Sequence, residues 1–176
     1  GTTVLAAYDD FTWNGDGTLA KVDFYIADPG LPTPALLFQY TFTYSGGKLA
    51  QLTTKVDTSG TGPVPVLEYY YSHTNSNISS VIENDLLNQV ADTLNYTYDA
   101  NQNYYSKIPA LWLSDNLFAD FNGYLLPFAL SGNNVTGLAD NAGNTSAVTY
   151  EATDQENIET LRIDGDLLTR YNYKCQ

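Results

Sequence analysis

Histidine, cysteine, methionine and basic residues are scarce in this chain of 176 residues, and each shortage removes a class of function. The single histidine, His73, falls on a hairpin turn and reads as solvated, so a Ser-His-Asp or Cys-His nucleophile has no imidazole base. The single cysteine, Cys175, has no partner for an internal disulfide and reads as a strand-end or terminal residue. Zinc and redox metals need clusters of His or Cys, so no metal and no cofactor is expected. Seven Lys and Arg against twenty Asp and Glu give a formal net charge of −13. That balance opposes phosphate backbones and anionic bilayers, so neither nucleic acid nor a charged membrane surface is an expected partner. No apolar run is long enough for a transmembrane helix. Gly15-Asp16-Gly17 opens no helix and is followed by no Walker-type lysine, so a phosphate-binding loop is also missing.

What the chain has in quantity is tyrosine, fifteen of them, with seven Phe and two Trp. Such residues favour strands, where they pack across a pleated surface. They recur in a loose repeat of alternating strand, polar turn and alternating strand. Phe11-Thr12-Trp13 leads into Asn14-Gly15-Asp16-Gly17 and then Leu19 to Ile26, and Phe38 to Tyr44 leads through Ser45-Gly46-Gly47 into Lys48 to Val56. Leu67 to Tyr71, Leu94 to Tyr98, Phe128 to Leu130 and Ala147 to Ala152 open four further units, and Asp164-Gly165-Asp166 turns the chain a last time. Period-two alternation around residues that tolerate positive φ is the hairpin signature. Phe38, Tyr40, Phe42 and Tyr44 then face one way, and Gln39, Thr41 and Thr43 the other. The pattern predicts one all-β domain over residues 1–176, an antiparallel hairpin meander forming a strongly curved sheet or open barrel, with its acids on the outside.

Two Pro/Gly-rich stretches, 29–34 and 59–65, join hairpins. Residues 109–127 break the alternation and mix Trp112, Leu113, Leu117, Phe118, Tyr124 and Leu125 with acids; they read as a short helical or loop plug over one sheet face. Asp85 to Asp92 is a second helical-turn candidate. The start, Gly1-Thr2-Thr3, reads as a trimmed end with Gly1 a cleavage scar and any export signal upstream of it.

Tyr96-Thr97-Tyr98-Asp99-Ala100-Asn101-Gln102-Asn103 and Phe42-Thr43-Tyr44-Ser45-Gly46-Gly47-Lys48-Leu49 resemble tyrosine-aspartate hairpin repeats of exported Bacteroides proteins. The plug is followed by Leu126-Pro127-Phe128, by Ser131-Gly132-Asn133-Asn134-Val135-Thr136, and by two hairpins ending Tyr171-Asn172-Tyr173-Lys174-Cys175. In this order the chain resembles an uncharacterised Bacteroides lipoprotein family of unknown function with a porin-like fold. The resemblance implies an exported periplasmic, outer-membrane or cell-surface protein. It would be held by a lipid anchor upstream of Gly1, with a curved antiparallel sheet and no catalytic residues to carry over. It does not imply a pore, since a membrane barrel needs an apolar outer band and the opposite faces here carry Gln39, Thr41, Asn95 and Thr97.

Asn14-Gly15-Asp16-Gly17 and Asp140-Asn141-Ala142-Gly143-Asn144 have calcium-loop composition, but neither is followed by the bidentate Glu of an EF-hand, and both read as turns. Twenty acids offer many carboxylate pairs, Glu151, Glu156 and Glu159 among them, without the sequence selecting one. Aromatic residues are the remaining binding signal: Trp13, Tyr69, Tyr71, Trp112 and Tyr124 are the candidate ligand contacts, with a sheet-core role as the competing reading for the strand tyrosines. The sequence therefore points to a noncatalytic cell-envelope domain with a structural or ligand-binding role. A carbohydrate or small apolar ligand in an aromatic cleft is the first alternative, and a carboxylate-dependent glycoside hydrolase the second.

Overall fold

A strand with one apolar face must bury it, and a tight turn brings the next strand alongside at once. The computed structural model describes residues 6–27, 33–57, 60–103, 123–154 and 157–170. The strands are β1 (Ala6–Trp13), β2 (Leu19–Ala27), β3 (Ala35–Ser45), β4 (Lys48–Val56), β5 (Val64–Thr74), β6 (Asn77–Asp85), β7 (Val90–Gln102), β8 (Asn133–Asp140), β9 (Thr145–Asp154), β10 (Asn157–Ile163) and β11 (Asp166–Arg170). Among the described residues a short helix, α1 (Leu126–Leu130), precedes β8. The sheet order follows the sequence from β1 to β11, and the fold is the expected all-β antiparallel meander. β1 and β11 end that order. The chain divides into two compact units, 1–71 with 82–91, and 72–81 with 92–176.

In the first unit the aromatic face of β3 points as its alternation requires. Phe42 pairs with Leu52 and Tyr40 with Thr54 on the inner face, while Thr41 pairs with Thr53 and Thr43 with Gln51 on the outer. Leu19, Val22, Tyr40, Phe42, Leu49, Leu52, Tyr69 and Tyr71 form the core of this unit. Phe24 and Phe38 lie with ring centroids 6.1 Å apart, and Phe38 and Tyr40 6.3 Å apart, extending the same face. The Tyr44 hydroxyl donates to the Leu19 carbonyl at 3.0 Å, so the ring packs while its polar end finds an acceptor. Gly46 and Gly47, both at positive φ (58° and 76°), make the two-residue β3–β4 loop whose twist matches the flanking strands.

The register of these hairpins is not uniform. Thr12 pairs with Lys21 but Trp13 with Leu19, leaving Ala20 as an extra residue. Thr43 pairs with Gln51 but Tyr44 with Leu49, leaving Ala50 extra. In the second unit Thr97 pairs with Gly137 but Tyr98 with Val135, leaving Thr136 extra. Each bulge places residues three apart on one face, which plain alternation forbids. Leu19 with Val22 and Leu49 with Leu52 are therefore buried together. Ile78 and Val81, also fully buried, repeat the spacing on β6.

The second unit buries Ile78, Val81, Tyr96, Leu126, Phe128, Ala129, Val135 and Val148. Three expectations change here and at the β6–β7 connection. Phe128 to Leu130 is helical rather than a strand: Pro127 occupies the first turn of α1, where its missing N–H costs nothing. Asp99 to Gln102 is not a turn, because β7 runs on through it. Tyr98 pairs with Val135 and Gln102 with Asn133, so Asp99 to Asn101 bulge out opposite one residue. The Asp99 carboxylate closes that bulge by accepting from the Asn101 backbone N–H (2.9 Å) and side-chain amide (2.8 Å). Residues 86–89 form a turn rather than a helix; Asp85 accepts from the N–H groups of Leu87 (2.9 Å) and Asn88 (3.0 Å). Of the plug, residues 109–122 lie outside the described residues, and Leu126 and Pro127 are buried.

Leu52→Ala removes a side chain with no exposure and should cost about 2–5 kcal/mol, whereas Thr43→Ala on the outer face of β3 should stay within about 0.5 kcal/mol. Urea unfolding midpoints of the two variants test the assignment of faces; equal losses would contradict it.

Candidate functional site

The structure describes four of the five sequence candidates, Trp13, Tyr69, Tyr71 and Tyr124. Tyr69 and Tyr71 are 4% and 7% exposed and belong to the core face of β5. Trp13 is 50% exposed at the end of β1, opposite Leu19. Four strand steps separate β1 from β5 in the sheet order. Tyr124 is half-buried just before α1, and its backbone carbonyl accepts from the Tyr96 hydroxyl at 2.8 Å. Trp112 and Cys175 lie outside the described residues. His73 is half-exposed and next to last in β5 rather than in the turn.

A different group of side chains does converge, on the outer face of the first unit. Cross-strand register sets Tyr8 opposite Tyr25, Asp10 opposite Asp23, and Thr12 opposite Lys21. It continues with Asp23 opposite Gln39 and Lys21 opposite Thr41, then Gln39 opposite Lys55 and Thr41 opposite Thr53. The Lys21 ammonium is paired with the Asp23 carboxylate. The Gln39 amide N–H donates to Asp23 Oδ1 at 2.9 Å, and Lys55 Nζ donates to Gln39 Oε1 at 3.2 Å. The result is a four-membered ladder across β2, β3 and β4. Asp23 is only 4% exposed, a buried acid where all acids were expected outside. Its pairing explains how it can be there, since an isolated buried carboxylate is costly. The bond to Asp23 is the main cause of the raised Lys21 pKa, with partial burial opposing it. Beside the ladder, Tyr8 and Tyr25 stack with centroids 5.1 Å apart and planes 17° apart. Burial first, then the Asp23 charge, raises the Tyr25 pKa. The sequence signal was the polar alternation Lys21-x-Asp23-x-Tyr25, whose members share a face of β2 only when read together with Gln39 and Lys55.

The second unit holds a buried polar knot around the Ser131-Gly132-Asn133-Asn134 run. Ser131 Oγ accepts from the Ile78 backbone N–H at 3.0 Å and lies 2.9 Å from the Tyr98 hydroxyl, which donates to the Ile78 carbonyl. The Asn103 side-chain amide donates to the carbonyls of Phe128 and Ser131, both at 2.8 Å. The Asn103 backbone N–H donates to Gly132 O at 2.8 Å, and Gly132 N–H to Ser76 O at 3.0 Å. Asn77 and Asn133 complete it: Asn77 Nδ2 donates to Asn133 Oδ1 (3.1 Å), and the Asn133 backbone N–H to Asn77 Oδ1 (3.0 Å). Gly132 lacks a side chain for a steric reason, because a Cβ there would sit 2.8 Å from Ser76 Cβ. The knot brings residue 103, where the chain leaves β7, against residues 128–132, where it returns. Burial pushes the Tyr98 hydroxyl pKa up to about 12, with the Ser131 contact opposing.

The acids that carry shifted pKa values mostly serve turns. Asp16 accepts from Thr18 N–H (3.0 Å) and hydroxyl (2.6 Å), and Asp140 from Asn144 N–H (2.8 Å) and side-chain amide (2.6 Å). Asp164 is hydrogen-bonded first by the Ser146 side chain and then by the Ala147 N–H at 2.7 Å, both on β9. These bonds, with those on Asp85, hold all four carboxyls below the usual range. Asp9, opposite Phe24, moves the other way because of burial. Among the described residues no three His, Cys, Asp or Glu side chains are grouped so as to hold a metal ion.

No family model matches the chain, and no curated protein matches it. Among solved structures it is similar to a protein of unknown function from Bacteroides fragilis, with 11% identity and a TM-score of 0.48, covering 92% of this chain and 96% of that one. It is similar to a porin-like protein from Bacteroides uniformis, with 10% identity and a TM-score of 0.43, covering 93% and 87%. A DUF3836 family protein from Parabacteroides distasonis shows 14% identity and a TM-score of 0.37, covering 53% and 77%. Porin-like and unknown-function Bacteroides proteins are thus what the chain is similar to, as the sequence resemblance expects.

Asn103→Ala leaves the Phe128 and Ser131 carbonyls without their donor and should cost about 1–3 kcal/mol for each. Gly132→Ala should destabilise by collision with Ser76, and Ser76→Gly in the same chain should recover most of the loss; no recovery in thermal melts would contradict the contact. Because the folded state favours the neutral Tyr98 hydroxyl, its contribution is present below pH 10 and lost as pH rises through about 12. The urea midpoint of Tyr98→Phe should therefore fall less steeply over that window than that of the unaltered chain.

Proposed function

We propose that the chain is a noncatalytic cell-envelope domain, exported and lipid-anchored, that presents a binding surface rather than turning over a substrate. The observation that carries this reading is the use of its carboxylates. A glycoside hydrolase needs an acid that keeps its proton near neutral pH and a second carboxylate facing it across the scissile bond. Asp16, Asp85 and Asp140 are shifted in the opposite direction by their own turns, and Asp164 by Ser146 and Ala147 on β9. Asp9 is raised, but its neighbour Asp10 points to the other face of β1, so the two cannot flank one bond. Asp23 is tied to Lys21 and Gln39.

The export and anchoring part rests on the Bacteroides lipoprotein resemblance of the hairpin sequence. No helix among the described residues is long and apolar enough to cross a membrane, which accords with attachment by a lipid.

Reducing-end release from a panel of plant, fungal and bacterial polysaccharides tests the noncatalytic reading. The expected result is no release above buffer; release that disappears in Asp9→Asn, or in any other single Asp or Glu substitution, overturns it.

A further inference from the structure

We propose that the outer face of β1–β4 is a binding site for a neutral oligosaccharide, seated on the Tyr8–Tyr25 pair and hydrogen-bonded by the Lys21–Asp23–Gln39–Lys55 ladder. The inference rests on the reading of the chain as a noncatalytic binding domain, but it uses none of the residues Trp13, Tyr69, Tyr71, Trp112 or Tyr124.

The aromatic part is an amphipathic platform. Tyr8 is 46% exposed on the strand that ends the sheet order, so among the described residues its ring has a strand neighbour on one side only. Tyr25 supports that side at 5.1 Å and fixes the ring's orientation. A tyrosine held this way offers a rigid apolar face at small entropic cost, with a hydroxyl at its rim. The C–H face of a sugar ring matches such a surface.

The polar part alternates donors and acceptors in a fixed order: ammonium, carboxylate, amide, ammonium. Each head group is held by its neighbour, and each sits on a strand rather than a loop, so little ordering is left for binding. An ammonium carries three N–H bonds and an amide nitrogen two, so the single ladder contacts of Lys55 and of the Gln39 amide nitrogen leave further donors for a ligand. Thr12, Thr41 and Thr53 add hydroxyls in the next row of the same face. A polyol, whose every hydroxyl both donates and accepts, fits this grid.

Charge selects the class of glycan. On this face Lys21, Lys48 and Lys55 are offset by Asp10, Asp23 and the adjoining Glu68 opposite Thr53, so it has no net charge for a uronic acid or phosphate to seek. The whole chain carries −13, which repels polyanions. A purely apolar ligand would strip water from the head groups of Lys21, Lys55 and Asp10 without replacing their hydrogen bonds.

Native affinity electrophoresis in gels containing laminarin, xyloglucan, mannan or polygalacturonate provides the test, with the unaltered chain, Tyr8→Ala, Gln39→Ala and Trp112→Ala run side by side. The expected result is retardation by at least one of the three neutral polysaccharides. The dissociation constant should rise about tenfold in Tyr8→Ala and in Gln39→Ala and stay unchanged in Trp112→Ala. Thermal melts accompany each variant; Tyr8 is exposed, so Tyr8→Ala should melt with the unaltered chain and report on binding alone. Retardation by polygalacturonate alone, retardation by none, or unchanged binding in Tyr8→Ala overturns the inference. Loss in Trp112→Ala with retention in Tyr8→Ala also overturns it, yet leaves the ligand-binding reading standing, while the noncatalytic reading is decided separately by reducing-end release.

Discussion

Everything in these hairpins depends on the strict two-residue alternation of a strand and on where it is interrupted. A paired strand has one inner and one outer face, and any residue inserted into it reverses the assignment for all that follows. The chain inserts such residues at Ala20, Ala50 and Thr136. In each case the extra residue follows shortly after a turn, and an apolar residue precedes it. The interruption lets Leu19 and Val22, or Leu49 and Leu52, enter the core together, while Asp23 and Gln51 are delivered to the outer face. Without the Ala20 insertion, Leu19 would lie on the side of Lys21 and Asp23. The core and the polar ladder are thus two results of one register.

Much of this was legible in the sequence. Gly46-Gly47 and Asp164-Gly165 announced their turns because few other pairs take the required backbone, and Phe38 to Tyr44 announced both faces of β3. The bulges were not legible, since Ala20, Ala50 and Thr136 are ordinary strand residues and only the i, i+3 spacing of their apolar neighbours betrays them. Asp99-Ala100-Asn101 misled for a related reason: the same Asx hydrogen bonds that close a hairpin turn also stabilise a bulge within a strand. Phe128 to Leu130 is too short to show a helical period, and its helix follows from Pro127 and from burial against its own unit. The ladder was illegible as a site because its members come from three strands, and no local motif links Asp23 to Gln39 and Lys55.

The two polar constellations differ in kind. The Ser131–Asn103 knot is buried and its Asn103 amide meets backbone carbonyls, so it fixes geometry and is poorly placed to meet a solute. The outer ladder is made of side chains meeting side chains on a face where Thr12, Thr43 and Tyr8 are exposed. Stability can be obtained on such a face from threonines and aromatics alone. A buried carboxylate held between a lysine and an amide is a more demanding arrangement than the sheet requires, and this separates it from a simple cross-strand ladder.

The closure at Asn103 and Gly132 has an evolutionary corollary. Because the two ends of the intervening stretch are joined by hydrogen bonds of their own, the length and composition of that stretch are not dictated by β7 or β8. Insertions or deletions between Asn103 and Gly123 would leave the strand registers intact, whereas Leu126, Phe128, Ala129 and Ser131 are fixed by the core and the knot. Descendants of one scaffold could diversify there rapidly while the tyrosine-rich hairpins drifted slowly, as a tool handle outlasts its interchangeable heads.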